Sequence, residues 1–188
     1  MEKSFLEIIN KIGKFNDEEL LLLKNELQSY ELKKGDNLLK VGEVCSSLWF
    51  VVSGSFYEYG INPELDKVVI DLYTTNDWVI NHKSFSTRKP SEYAIQAYKK
   101  SVVHELTIDS VHKLISKSQS FLTMGRILEE STSRIDFFDN NSTPDDKYDF
   151  ILKNKPQLLQ EFPQKIIASY LKITPETLSR VRKRLSKN

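Results

Sequence analysis

A single cysteine, Cys45, stands in 188 residues. One thiol closes no internal disulfide and, alone, builds no zinc or iron–sulfur site. Histidine is nearly as scarce. His82, His104 and His112 are scattered with no metal-ligand spacing between them, so each reads as a surface or hydrogen-bonded histidine and no metal is expected. A cupin-type metalloenzyme is thereby set aside, because its chemistry needs two or three histidines and a carboxylate converging on strands. No nucleophile–base arrangement and no phosphate-cradling glycine loop is visible, so the chain reads as a non-enzyme. Long apolar runs are missing too. Nothing approaches the roughly 18 residues of a membrane helix. The amphipathic start MEKSFLEIINKIGKF lacks the basic, apolar and small-residue segments of a secretory signal. Internal repeats and low-complexity tracts are also absent. A cytoplasmic protein with no membrane contact is expected.

What is present is an ordinary globular composition, 39% hydrophobic, in a length that suits one domain or two small ones. The net charge of +1 conceals an asymmetry. Residues 163–188 hold Lys165, Lys172, Arg180, Arg182, Lys183, Arg184 and Lys187 against Glu176 alone, a net of +6, which leaves −5 on the remainder. A basic end on an acidic body suits a nucleic-acid partner, because phosphate neutralisation dominates such affinity. A solvated basic helix without a partner would show the same charge.

Three textures follow one another. Residues 1–28 read as helical, with Asn16 and Glu19 forming a capping box and Phe15 stapling to Leu20. Residues 29–108 read as short strands, among them 48–52, 55–59, 68–73 and 93–98. They are punctuated by Gly35, Gly42, Gly54 and Gly60, with Asn62-Pro63 at a hairpin tip. The spacing predicts a sandwich, roll or barrel. From Asp109, which reads as a helix cap, the chain turns helical again. A long helix over about 118–139 places Phe121, Met124, Leu128, Ser131, Ile135 and Phe138 at steps of three and four, the spacing of a coiled-coil seam. The stripe suits a homodimer contact or packing on the chain's own β domain. Asn140-Asn141-Ser142 then breaks the helix. Thr143 caps the next one with Pro144 in its first position. This boundary divides the chain into a sensor unit, 1–140, and a second unit, 143–188.

The second unit carries the most specific pattern. Pro163 opens a helix with Ile167, Ala168 and Leu171 inward, and Ala168 is small where two helices must cross closely. Ile173 plugs the angle. Thr174 caps a second helix, Pro175 fills its first turn, and Leu178, Val181 and Leu185 face inward. This is the spacing of a helix-turn-helix. Glu176 and Arg180, four apart, project from the outer face near the N-terminal half, which enters the major groove in this motif. Arginine bonds guanine bidentately and glutamate accepts from cytosine. Thr174, Thr177 and Ser179 are placed for phosphates, and Arg182, Lys183 and Arg184 supply charge. Lys172 holds the turn position usually given to glycine; a left-handed backbone there costs about 1–2 kcal/mol.

The stretches IASYLKITPETLSRVRKRL at 167–185, ELKKGDNLLKVGEVCSSLWFVVSGSFYEYG at 31–60 and PSEYAIQAYKKSVVHELT at 90–107 resemble the cyclic-AMP-receptor/FNR transcription regulators. The resemblance is especially to the short members found in Bacteroidetes-type bacteria. The resemblance implies an α+β fold: an N-terminal cyclic-nucleotide-binding-like β-roll, a long dimerisation helix and a C-terminal helix-turn-helix. It implies a homodimer reading a pseudo-palindrome in double-stranded DNA, with RNA polymerase and a small-molecule effector as further partners. The family's base-reading positions fall on Pro175, Glu176 and Arg180. Pro175 replaces an arginine common in cyclic-AMP binders, so their operator is not implied. The effector region departs further. No Gly-Glu pair is present, and Pro90 stands where the phosphate-binding arginine belongs, beside Ser91 and Glu92. A buried phosphate without its guanidinium is poorly compensated, so cyclic nucleotide binding in the usual way is not expected. Arg88 and Lys89 are the nearby cations. The cysteine cluster of oxygen sensors is also missing. Tyr73, Trp78, Phe85, Arg88 and Tyr93 are the candidate effector pocket, although aromatics at strand spacing, Trp49 and Phe50 included, equally suit a core. The sequence runs out just after the second helix, so the β-wing of many relatives, and its phosphate contacts, are expected to be missing. An alternative keeps the β-roll as a ligand sensor and gives the helical tail to a protein partner.

Overall fold

The computed structural model describes residues 3–139 and 143–185, with the backbone alone for 135–139. Two helices, α1 (Lys3–Ile12) and α2 (Asp17–Glu26), precede the strands. The capping box forms as the sequence predicts. Asn16 accepts from the Glu19 N–H, and Glu19 Oε2 accepts from the Asn16 N–H at 2.8 Å. The other carboxylate oxygen of Glu19 takes the Ser118 hydroxyl, tying α2 to a distant turn.

Eight strands follow, all paired antiparallel: β1 (Gln28–Leu32), β2 (Asn37–Leu39), β3 (Ser47–Ser53), β4 (Ser55–Ile61), β5 (Lys67–Thr74), β6 (Trp78–Val79), β7 (Ala94–Ala97) and β8 (Ser101–Thr107), with a short helix α3 (His82–Thr87) between β6 and β7. They build two four-stranded sheets, in the orders β1-β8-β3-β6 and β2-β7-β4-β5. The chain passes from one sheet to the other at Gly54. Its φ is +101° and a Cβ there would meet Ser101 within 2.5 Å, so only glycine fits on both counts. Asn62-Pro63 lies at the β4–β5 tip, where Asn62 Oδ1 accepts from the Asp66 N–H.

The apolar part of the core includes Phe50, Phe56, Tyr73, Ile95 and Leu106. Helix α1 seals one end. Phe5 is fully buried, edge-on to Phe50 at 4.9 Å and close to Trp78.

After β8 come α4 (Ile108–Lys117), a 3₁₀ segment (Gln119–Met124), α5 (Gly125–Asp139), α6 (Pro144–Asn154), α7 (Leu158–Glu161), α8 (Gln164–Tyr170) and α9 (Pro175–Leu185). Two expectations need correction here. Thr107, not Asp109, caps α4, accepting from the Ser110 N–H, because the hydroxyl already sits at the end of β8. The single helix expected over 118–139 is divided, with 3₁₀ geometry up to Met124 and α-helix from Gly125. In that first part Phe121 is clamped against Phe15, ring centroids 5.2 Å apart. Thr143 caps α6, with Pro144 in the first turn and Asp146 closing a capping box. The Asn140-Asn141-Ser142 break lies outside the described residues.

The expected seam divides in the same way. Phe121, Met124 and Ser131 are buried within the single chain, and Leu128 packs on the same core. Within the single chain, Phe121, Met124 and Leu128 thus join the core of the β domain. Ile135 and Phe138 have side chains outside the described set. Next to Phe121 but off this face, Leu122 is 60% exposed.

Candidate nucleic-acid interface

The two terminal helices form the expected angle. The inward faces of α8 and α9 bury Ile167, Ala168, Leu171, Leu178 and Val181, with Tyr148 and Ile151 of α6 completing the core. The turn between them is a Schellman closure. The Ile173 N–H donates to the Ala168 carbonyl and the Lys172 N–H to the Ser169 carbonyl, both at 3.0 Å. Such a closure needs a left-handed residue, and Lys172 takes it with φ +57°. The turn geometry is thus the ordinary one, held at the cost expected of a non-glycine residue.

Thr174 caps α9. Its hydroxyl accepts from the Thr177 N–H at 3.2 Å, and its carbonyl receives the Leu178 N–H. Glu176 sits in the first turn, where backbone N–H donation, the Thr174 hydroxyl and the Arg180 charge hold its carboxyl below the usual range. Pro175, Glu176, Ser179, Arg180, Arg182 and Lys183 are exposed, and Thr177 is half-buried. Glu176 and Arg180 thus point outward on one face, as the spacing predicts. Arg184 differs from the others. Its guanidinium is paired in both positions with Asp145 of α6, so it braces the module. With its side chain 58% exposed, that pair is weak and reversible.

The module also docks on the β-roll, which sequence reasoning did not anticipate. β5 is a sheet-edge strand, and its Val69 N–H donates to Ser169 Oγ of α8 at 3.0 Å. Val69 and Leu72 join the module's own core. Lys99 pairs with Glu161, and Lys155 pairs with Asp77 at 2.9 Å. Covering an edge with a helix satisfies its backbone and blocks pairing with other chains.

The candidate effector residues do not come together. Tyr73 is fully buried, with its hydroxyl near Glu58 and the Ile80 carbonyl. Arg88 ends α3 in a left-handed conformation and donates to the Cys45 carbonyl. Phe85 is core, Tyr93 covers Gly60, and Trp78 faces the α1 side. Tyr93 alone of the five borders the small cavity of about 260 Å³ beside Pro90 and Ser91, and Trp78 alone borders a larger one elsewhere. Tyr73 and Phe85 belong to the buried core of the roll.

A buried polar cluster was missed entirely. Glu58 and Asp71 are cross-strand neighbours on β4 and β5, and both are buried. Asn81 and Tyr73 donate to Glu58, and Arg134 of α5 donates to Asp71. Burial, with Asp71 beside it, pushes the Glu58 carboxyl up to about 8. The sequence signal was present: a glutamate and an aspartate inside otherwise apolar strand runs.

Among the described residues no cluster of three or more metal-ligating side chains occurs, and no helix is long and apolar enough to cross a membrane. No family model and no curated protein matches the chain. Solved structures do. FixK2 from Bradyrhizobium japonicum is 14% identical, with a TM-score of 0.65 over 86% of this chain and 85% of that one. A CooA variant from Carboxydothermus hydrogenoformans is 15% identical, with a TM-score of 0.66 over 100% of this chain and 86% of that one. The catabolite activator protein of Thermus thermophilus is 17% identical, with a TM-score of 0.53 over 92% of this chain and 84% of that one. A cyclic-nucleotide-binding-like β-roll followed by a helical tail is what the chain shares with these regulators, and its fold is that of the cyclic-AMP-receptor/FNR proteins.

Proposed function

We propose that the chain is a DNA-binding transcription regulator of the cyclic-AMP-receptor/FNR type. The observation that carries this reading is the outward face of α9. A capped helix N-terminus presents exposed Glu176, Ser179 and Arg180 on a module whose inner face is fully packed. Such a helix lies in the major groove with its N-terminal half on the base edges. In this assignment Arg180 reads a guanine and Glu176 a cytosine amino group. Thr174, Thr177 and Ser179 hold phosphates. Arg182 and Lys183 release counterions, joined by Arg184 once it leaves Asp145. The active species is a homodimer on a pseudo-palindrome, and RNA polymerase is the further partner. The dimer contact in this reading runs along the Phe121–Phe138 stripe, with the exposed Leu122 beside it.

The test is fluorescence anisotropy of the full chain on a duplex selected from a random pool, titrated across salt. Specific binding with a steep fall of log K against log salt supports the reading. Arg180→Ala is expected to cost about 1–3 kcal/mol and relax preference at one base pair, while Arg182→Ala flattens the salt slope by roughly one. Binding that is salt-insensitive, survives Arg180→Ala and requires a protein partner would transfer the tail to the alternative reading.

A further inference from the structure

A cavity of about 450 Å³ opens between the β4–β5 pair and the C-terminal module. Tyr57 of β4, with Asp66 and Lys67 at the start of β5, borders it from the sheet side. Lys165, Ile173 and Pro175 border it from the module side. Pro175 is the first residue of α9. The end of α9 assigned to the major groove therefore adjoins this space, and the β-roll stands on its other side.

The lysines on the two walls have no counter-ion. Lys165 is exposed and forms no hydrogen bond or ion pair among the described residues. Lys67 is exposed as well. Its ammonium donates to Tyr57 Oη at 3.0 Å and to Gln96 Oε1 at 3.2 Å, and it lies over the Tyr59 ring, 4.0 Å from the centroid. These partners are neutral, so they orient the charge without cancelling it. Asp66 is the one carboxylate bordering the cavity among the described residues. Two cations against one anion leave the space positive, a field that draws in an anion. The other lysines along this boundary are neutralised, Lys99 by Glu161 and Lys155 by Asp77. The uncancelled charge is thus local to the cavity beside α9.

We propose that this cavity seats a backbone phosphate of the bound duplex, held by Lys165 from the module and Lys67 from the β-roll, so that the roll itself contacts DNA. The inference rests on the proposed function and extends its contact surface from α9 to the sheet. The major groove is about 12 Å wide, so a helix end lying in it has a phosphate strand on either side at roughly half that distance. The first helix of the motif crosses the backbone, and Lys165 stands in the first turn of α8. Lys67 faces the same space from the opposite wall. When its ammonium exchanges a neutral oxygen for a phosphate, it gains the attraction of an opposite charge and releases a counterion. Asp66 opposes the phosphate, which gives a variant there the opposite sign.

The experiment is fluorescence anisotropy of the full chain on its selected duplex across salt, for the parent, Lys67→Gln, Lys67→Arg, Asp66→Asn and Arg180→Ala. Lys67→Gln is expected to weaken binding about five- to tenfold at about 0.1 M salt and to reduce the salt slope by about one, with the preferred sequence unchanged. Lys67→Arg keeps the charge and is expected to keep the slope. Asp66→Asn removes the opposing charge and is expected to tighten binding about twofold. Duplexes carrying one neutral methylphosphonate at a time locate the contact. At one flanking position the substitution is expected to cost the parent about fivefold and Lys67→Gln nothing further. The proposal is overturned if Lys67→Gln keeps the parent's slope, if Lys67→Arg loses it, if Asp66→Asn does not tighten binding, or if no methylphosphonate separates the parent from Lys67→Gln. A parent that binds no duplex overturns this inference and the proposed function together. Binding that needs Arg180 but not the Lys67 charge overturns this inference alone.

Discussion

Arg134 grips Asp71 from both sides of its guanidinium edge, with Nε within 3.1 Å of Oδ1 and Nη2 closing on Oδ2. The Asp71 side chain is 0% exposed and that of Arg134 is 14% exposed. The pair joins the edge strand β5 to α5, and Arg134 also lies over the Tyr73 ring at 5.5 Å. Tyr170 of the module is buried beside the same pair, and burial together with the Asp71 charge holds its hydroxyl pKa far above the ordinary value. The edge strand β5, helix α5 and the C-terminal helical module thus converge on one ion pair.

Breaking this pair from one side leaves a buried charge behind. Arg134→Met is expected to destabilise the chain by about 3–5 kcal/mol. The double variant Asp71→Leu/Arg134→Met is expected to recover most of that loss, since two apolar groups need no partner. Urea unfolding of the parent, both single variants and the double variant decides it. A double variant as unstable as the single ones would show that the pair has no special role.

Glu58 makes stability depend on pH with an unusual sign. Its folded value is raised to about 8, whereas an unfolded glutamate titrates near its ordinary 4.5. Between those values the folded state holds the proton and the unfolded state does not. The contribution is therefore complete below pH 4.5 and is lost as pH rises toward about 8. The loss is at most ~1.4 kcal/mol per pH unit from this one group. Glu58→Gln keeps an acceptor for Asn81 and carries no charge. It is expected to flatten the decline and to exceed the parent in stability at pH 8 in thermal melts. An unchanged slope would remove Glu58 as its source.

Lys172 occupies a left-handed position that glycine adopts freely. Lys172→Gly is expected to raise stability by about 1 kcal/mol, reduced somewhat by the greater freedom of glycine in the unfolded chain. The Lys147 ammonium bond to the neighbouring Leu171 carbonyl does not involve the Lys172 side chain and should persist. Differential scanning calorimetry of the two proteins gives the answer, and a lower melting temperature for the glycine variant contradicts the strain argument.

Ser169→Ala removes the acceptor for the Val69 N–H at the covered sheet edge. An unsatisfied buried donor costs about 1–3 kcal/mol. That loss is expected locally, as faster amide exchange at Val69 and its β5 neighbours, with β3 and β8 still protected. Uniform acceleration across both sheets would instead mean that the contact supports the whole fold.

Much of the local structure was legible because it depends on neighbours in the chain. The Asn16–Glu19 box, the Thr143-Pro144 start and the Thr174 cap each need only three or four adjacent residues. The helix-turn-helix was legible for the same reason: Ala168, Ile173, Leu178 and Val181 meet within one short segment. The 121–131 stripe shows the limit of such reading. Steps of three and four make one apolar face, but the face is the same whether it meets a partner helix or its own sheet. In the folded chain Phe121 is fully buried against Phe15, a contact that no step of three or four could have named.

Sequence alone thus determined the succession of helical, strand and helical regions, the caps at Asn16, Thr143 and Thr174 and the outward direction of Glu176 and Arg180, because caps and faces are decided by near neighbours in the chain. Tertiary structure decided the rest. Asp71 and Arg134 are 63 positions apart and Val69 and Ser169 are 100 apart, and no periodicity links residues so distant. The cavity beside Lys67 and Lys165 exists only once β4, β5, α8 and the start of α9 have packed around it, since such a space is a property of the assembled surfaces and not of any one of them.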